Sequence, residues 1–455
     1  MKRSFRFASV LVVLAMTFVV QGAISSMSQA GLLDQSGSDV TTRFKSGIVD
    51  SSADASWIYL IGRGGATGRV STADGSLDPE WGVTTPSPFD SGWPRQIAQL
   101  ADWYGLTDVE VDAKGRVLQS GWIGNGSGSG VPTTRHFLTR TLSDGKPDPN
   151  FAANGIKMMK GLGSGSPISF SGRLGLDSKS RIYESIESVT QPTRTRRPMT
   201  KFTIVRLRSS GEADPSYGKN GTAVLAVDRT PTQQMRLVDM AVSKNGRAAV
   251  LMAVPGQGLQ IRAFDQKGRP DVRFNRATRR VRMSGNHAKP VSVDFDRSGD
   301  LTVVMAKRGS SPRVRVDRVK ADGSPRGTFG NGGRLWITDS WLRKNYGAGS
   351  PSLSANAGMA TGVSVDNRRR VILTVSGQVG KSSSDPSAIS IRLDSAGGAD
   401  TGFTTGGFLL GHSPLTSVLG TLPIATLPTG AAILSSGTKV PPSDGNRSIV
   451  LYDVG

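Results

Sequence analysis

The sequence predicts an all-β chain, a seven-bladed β-propeller of four-stranded antiparallel blades closed by pairing of its N- and C-terminal strands. Three observations carry that expectation. A unit of about sixty residues recurs seven times along the chain. Apolar and polar residues alternate with period two on both sides of tight turns in each unit. The last copy stops at Tyr452-Asp453-Val454-Gly455, and the piece it lacks is found near the start, at Arg43-Phe44-Lys45-Ser46-Gly47-Ile48.

Before the repeats, Lys2, Arg3 and Arg6 precede an apolar run from Val10 to Val20, and small residues follow up to Ser28-Gln29-Ala30. This is the pattern of an export signal at residues 1–30, cleaved after Ala30 or, as an alternative, after Ala23. The apolar run is short for a membrane span, so the expected mature chain, 31–455, has no integral membrane association and works in the periplasm, the wall or outside the cell. No cysteine occurs in 455 residues, which excludes disulfides, thiolate metal sites and cysteine nucleophiles.

The first half of each unit is an alternating strand, a turn near Asp-x-x-Gly, and a β-branched run. Val109-Glu110-Val111-Asp112-Ala113-Lys114-Gly115 shows it, as do Leu174 to Tyr183, Met240 to Arg247, Val293 to Leu301 and Val363 to Val371. Degenerate copies lie at Ile48 to Ile61 and Ile424 to Leu434. In the second half a strand ends in Asp-Gly, and an Asp and an aromatic follow at fixed offsets. Asp74-Gly75 with Asp78 and Trp81, and Asp144-Gly145 with Asp148 and Phe151, are the full forms. Asp before Pro suits a single helical turn, with the carboxylate as its cap. The aromatic then recurs at one place, where a plug between neighbouring units is needed. Copies three, four and six carry Asp214 with Tyr217, Asp271 with Phe274, and Asp400 with Phe403; copy five has Phe329 but Arg326 where its Asp is expected.

This pattern resembles the bacterial delta-60 repeat family over nearly all of the mature chain, and the resemblance implies an extracytoplasmic β-propeller without implying a particular activity. The expected blades are 48–105, 106–170, 171–235, 236–288, 289–345, 361–420, and 421–455 joined by 33–47. One such sheet cannot bury both faces alone, so neighbours must stack, and a ring leaves no open ends. Gly/Ser-rich stretches at Gly124 to Gly130, Gly161 to Ser166 and Gly377 to Ser387 read as loops. Ser340 to Thr361 reads as a longer surface loop, the one insertion suited to a lid.

Formal net charge is +21, and residues 191–344 hold 31 basic against 12 acidic side chains. In a ring this makes one strongly positive sector, with long-range attraction for polyanions. Candidate anion-binding residues are Arg194, Arg196 and Arg197 in an insertion, Arg279 and Arg280, and Arg313 and Arg315, which alternate with valine and share a strand face. Wall polymers, acidic polysaccharide and other extracellular polyanions are the expected partners, with a protein partner also open.

No catalytic or cofactor motif with the required spacing occurs in the sequence. His136, His287 and His412 are far apart and read as packing or surface histidines. Asp294-Phe295-Asp296-Arg297-Ser298-Gly299-Asp300 begins like a calcium loop, but Met305 stands where its bidentate Glu belongs, so it reads as a hairpin turn. Neither metal, cofactor nor catalytic residues are expected. The leading expectation is a non-enzymatic binding or structural module of the cell envelope. The alternative is a carbohydrate-active hydrolase or lyase, marked by non-repeated Asp, Glu, His or Tyr converging from different blades at the channel with perturbed titration.

Overall fold

The computed structural model describes residues 32–34, 38–44, 48–54, 56–62, 67–71, 78, 81, 103–125, 133–159, 172–190, 199–228, 236–254, 258–278, 288–307, 311–347, 350–353, 360–378, 387–403, 408–411, 424–426, 431–438 and 447–454. Among them the strands form seven antiparallel sheets of three to five strands, and helices are few. Sheet 1 holds Ile48–Ala53, Trp57–Gly62 and Thr67–Ser71. Sheet 2 holds Trp103–Val111, Val117–Asn125, Thr133–Thr141 and Ile156–Met158. Sheet 3 holds Gly172–Leu176, Ile182–Thr190, Met199–Leu207 and Thr222–Asp228. Sheet 4 has three strands, Arg236–Val242, Ala248–Val254 and Gly258–Phe264. Sheet 5 has Ala288–Phe295, Leu301–Lys307, Arg313–Val319 and Arg334–Ile337. In sheet 6, Ala360–Val365 and Ser352–Leu353 share one edge of Val371–Gln378, and Ser387–Leu393 and Phe408–Gly411 follow on the other. Sheet 7 joins Ile424–Thr426, Ala431–Thr438 and Arg447–Val454 to Ser38–Phe44 and Leu32–Asp34, with Thr42 opposite Ile449.

The first strand of each sheet touches the first strand of the next, from sheet 1 through sheet 7, and Ile424–Thr426 touches Ile48–Ala53. Between consecutive sheets lie the apolar clusters. Tyr59 and Ile61 meet Val109, Val117 and Phe137; Leu118, Leu138 and Phe151 meet Leu174, Ile182 and Val205; similar clusters join sheets 3 to 4, 4 to 5 and 5 to 6. Successive side chains point to opposite faces of a strand, so Val117 faces sheet 1 and Leu118 faces sheet 3. This two-sided burial explains the continuous apolar runs of the second strands, such as Leu301–Lys307.

The Asp-x-x-Gly turns fold as expected. Asp112 Oδ1 accepts the amides of Lys114 and Arg116, at 2.9 and 3.1 Å, and Gly115 takes φ 69°. Asp296, in the calcium-like segment, makes the same turn by accepting the amides of Ser298 and Asp300. The stretch Ser340 to Thr361 departs from the loop expected there. It begins with a helix, Asp339–Tyr346, capped by Thr338 and anchored by the fully buried Leu342, and continues into Ser352–Leu353. Asp339 fixes the return by accepting the amide of Leu353 at 2.7 Å. No helix among the described residues is long and apolar enough to cross a membrane.

Candidate functional site

Arginine forms the repeated polar feature of the interior. At the end of the third strand of sheet 2, Arg140 donates to Asp148 at 2.8 Å, lies 4.6 Å over the Phe151 ring, and also donates to the carbonyl of Ser209 in sheet 3. Arg69, Arg206, Arg318 and Arg392 occupy the matching place, and Arg140, Arg206 and Arg318 are among the largest fully buried side chains. Sheet 4 has Ala263 there, and Arg247 from the neighbouring strand reaches Asp271 at 2.7 Å and the Phe274 ring at 4.3 Å instead. The aromatic presses on the glycine of the next sheet's turn: a Cβ on Gly211 would come within 2.8 Å of the Phe151 ring. The expected plug is therefore present. The Asp residues of these turns serve as partners of buried guanidiniums, besides capping, as Asp271 caps Val272–Ala277.

Copy five keeps the turn that its Arg326 had put in doubt. The Arg326 amide donates to the Arg318 carbonyl as the Asp148 amide does to Arg140, and the charge pair is reversed: Arg326 meets Asp300 at 2.7 Å, Asp300 standing where sheet 2 has Arg116.

Sheet 1 breaks the pattern differently. Sheets 2, 3 and 6 place Arg116, Arg181 and Arg370 against their turn aspartates, Asp112, Asp177 and Asp366. In sheet 1 the corresponding residue is Trp57, and Arg69 stacks on its ring at 4.0 Å. Asp54 accepts the Ser56 and Trp57 amides at 2.8 and 2.9 Å and the Tyr59 hydroxyl at 2.9 Å; among the described residues no guanidinium reaches it. Burial and the bond to Asp54 push the Tyr59 phenol above its usual range. A cavity of about 500 Å³ opens here, lined by Asp54, Trp57, Tyr59, Arg69, Asp112 and Gly115.

The second constellation lies along the first strands. These strands in sheets 2, 4 and 5 carry a β-bulge, between Leu106 and Asp108, Leu237 and Asp239, and Pro290 and Ser292. Beyond the bulge the side chains bind the next sheet. Asp108 accepts the Leu174 amide, Asp239 the Val293 amide at 2.9 Å, and Asp294 the Val365 amide at 2.8 Å. Ser52 accepts the Val111 amide and donates to Glu110 Oε2 at 3.3 Å. Burial first, then the charges of Asp108, Asp294 and Asp239, push Glu110 up to about 8. Burial and Asp239 push Asp294 up to about 7, against the amides of Val365 and Phe295. Carboxylates from sheets 2, 4 and 5 thus share one electrostatic neighbourhood, and two of them exchange protons near neutral pH. By sequence Glu110 and Asp294 are strand residues beside the hairpin turns and carry no catalytic motif. They fall at two repeat positions that are acidic in some sheets only: Asp108 recurs as Asp239 and Glu110 as Asp294, whereas sheet 3 has Arg173 and Gly175 there.

Of the candidate anion-binding residues, Arg194, Arg196, Arg197, Arg279 and Arg280 lie outside the described residues. Arg313 and Arg315 do share a strand face, both over Trp336, at 4.5 and 5.8 Å. Arg315 corrects the surface assignment, since it is 4% exposed and ion-paired with Asp317, because the outer strand Arg334–Ile337 and Trp336 cover that face. His136 is buried beside Glu184, which accepts the Ser120 hydroxyl at 2.8 Å, and is a packing histidine; His287 and His412 are outside the described residues. Among the described residues no three His, Asp or Glu side chains could hold a metal ion.

No family profile matches the chain, and no curated protein matches it. Among solved structures, an ulvan lyase of a new polysaccharide lyase family, bound to -[GlcA(1-4)Rha3S]-, is 8% identical and covers 93% of this chain and 96% of its own, with a TM-score of 0.47. The polysaccharide lyase Uly1 is 7% identical, covers 90% of each chain, and also scores 0.47. A protein of unknown function from Bacteroides caccae is 10% identical, covers 83% of this chain and 97% of its own, and scores 0.38. No residue role is carried across at these identities.

Proposed function

We propose that the chain is an exported carbohydrate-active enzyme, a closed seven-bladed propeller of the delta-60 type whose first strands surround an axial channel. The cyclic contacts of the first strands and the pairing of Ser38–Phe44 with Arg447–Val454 support the ring. The observation that carries the activity is the pair Glu110 and Asp294, carboxyls at one repeat position in sheets 2 and 5; the charge of Asp294 helps to raise Glu110, and the two are pushed up to about 8 and about 7. A carboxyl that keeps its proton at neutral pH, in one electrostatic neighbourhood with one that gives it up, is the equipment of a glycosidase. In hydrolysis the Glu110 proton passes to the glycosidic oxygen as the C–O bond breaks, and Asp294 takes the proton of the attacking water. The acids come from the repeat's bulged strands, so the ring positions them and the neighbouring amides of Val365 and Val111 hold the strands in place.

The test is release of reducing ends, or of unsaturated products, from a panel of neutral, uronate-containing and sulfated polysaccharides by the mature protein, with Glu110→Gln and Asp294→Asn alongside. Product formation with a bell-shaped pH profile, lost in both variants, is expected. No product from any polymer between pH 5 and 9 on the order of a day, or an unimpaired E110Q, returns the chain to the envelope-binding reading.

A further inference from the structure

We infer that the cavity between sheets 1 and 2 is a binding site for a neutral sugar residue of a glycan chain, separate from the proposed catalytic acids and independent of whether they catalyse. The site exists because the repeat is broken there. In sheets 2, 3 and 6 an arginine closes the turn aspartate, whereas in sheet 1 an aromatic ring stands in its place and the aspartate keeps a carboxylate without a cationic partner among the described residues.

Each wall suits a saccharide. The volume of about 500 Å³ falls within the range of about 300–1,000 Å³ usual for small-ligand sites and admits one or two sugar rings. The partly buried Trp57 ring, which carries Arg69 on one face, lines the cavity and supplies apolar surface for the C–H face of a pyranose. Asp54 supplies an acceptor for sugar hydroxyls, and Tyr59 lines the same cavity. The platform is rigid in advance of binding: Arg69 stacks on Trp57, pairs with Asp78 at 2.6 Å, and donates to the Ser143 carbonyl of sheet 2 at 2.6 Å, tying both walls together.

The charges decide the ligand. Arg69 is spent on Asp78 and Arg116 on Asp112, so Asp54 leaves the cavity with an excess of one negative charge. Uronate, sulfate and phosphate are repelled, and uncharged hexose or pentose residues are accepted.

The probes are the neutral hexasaccharides cellohexaose, xylohexaose, maltohexaose and mannohexaose, with hexagalacturonate as the charged comparison. Binding is read by calorimetry and by tryptophan fluorescence. The protein carries Glu110→Gln, so that turnover cannot interfere and failure of the catalytic proposal leaves the result intact. At least one neutral hexasaccharide is expected to bind at least tenfold more tightly than hexagalacturonate. Trp57→Ala and Asp54→Asn are each expected to weaken binding at least tenfold, and Trp341→Phe, in the helix between sheets 5 and 6, to leave it unchanged. If Trp57→Ala fails to fold, Trp57→Phe, which retains a smaller ring, and Asp54→Asn decide the matter. The proposal is overturned if no neutral hexasaccharide binds, if hexagalacturonate binds as well or better, or if Asp54→Asn binds like the parent.

Discussion

The reversed charge pair of sheet 5 offers a quantitative check on the interior network. Asp300 is 5% exposed and Arg326 29%, with 2.7 Å between nitrogen and oxygen. With charge centres about 4 Å apart and an effective dielectric near 20, the pair attracts by about 4 kcal/mol. Water at the Arg326 end takes roughly half of that, leaving a coupling of about 2 kcal/mol. Arg326→Asp puts a second carboxylate beside Asp300, which burial and Asp296 already push above its usual range, and a loss of about 3 kcal/mol is expected. Asp300→Arg opposes two guanidiniums and should lose about 2 kcal/mol. The double variant recreates the order found in sheets 2 and 6, where Arg116 lies 3.8 Å from Asp148 and Arg370 lies 3.6 Å from Asp400. It should return to within about 1 kcal/mol of the parent. Urea unfolding followed by circular dichroism on all four proteins, at equal m-values, measures the coupling. Additivity of the two single changes to within about 0.5 kcal/mol would refute the reasoning, because the two residues would then not interact.

Other consequences can be checked with similar means. Gly211→Ala places a Cβ at φ 84° and 2.8 Å from the Phe151 ring, and should destabilise by about 2–4 kcal/mol in urea, with partial recovery when Phe151→Leu is added. Asp148→Asn leaves the fully buried Arg140 without its anion and should cost about 3–5 kcal/mol, a larger loss than Asp144→Asn at the exposed Lys146 pair. Because Glu110 is held up to about 8 and Asp294 to about 7, the folded chain binds more protons than the unfolded chain between the ordinary carboxyl range and those values. Stability should therefore fall as pH rises from about 5 to about 8, by at most about 1.4 kcal/mol per unit for each group, and Glu110→Gln should flatten that slope in melting curves. Deleting residues 31–47 removes the strand paired with Arg447–Val454, and a lowered melting temperature with aggregation is expected; an unchanged monomer sinks the ring.

What the sequence disclosed and what it hid divide along repetition. The turn aspartates Asp112, Asp177, Asp296 and Asp366, the glycines that follow Asp112 and Asp296, and the aromatics Trp81, Phe151, Tyr217, Phe274 and Phe329 are legible because each recurs at one offset and has one structural job. Arg140 and its counterparts recur too. A guanidinium, though, is usually solvated, and only three-dimensional placement shows the carboxylate, ring and carbonyl that surround it. Sheet 4 obscures the rule further by moving the cation from the position of Ala263 to Arg247 on the adjacent strand. Arg315 was misplaced for a related reason, since alternation identifies a strand face but not the strand that covers it. Glu110, Asp239 and Asp294 gave no signal because an acid on an alternating strand reads as one more polar residue; Asp239 matches Asp108 and Asp294 matches Glu110 in the repeat, and only the fold brings carboxyls of three sheets into one neighbourhood. The helix Asp339–Tyr346 is hidden by its length, since eight residues with Leu342 buried and Trp341 and Tyr346 packed beside it span too few turns to show a period.

The pairing of Thr42 with Ile449 sets an order of events during synthesis. A ribosome releases the earlier strand long before its mate exists, so the interior seams can settle one after another while the opening pair waits. Any product cut short near its terminus leaves Ser38–Phe44 as a naked hydrogen-bonding edge, ready to recruit a stranger. Truncated translation products of this chain should therefore be prime clients for chaperones and proteases of the compartment in which it matures.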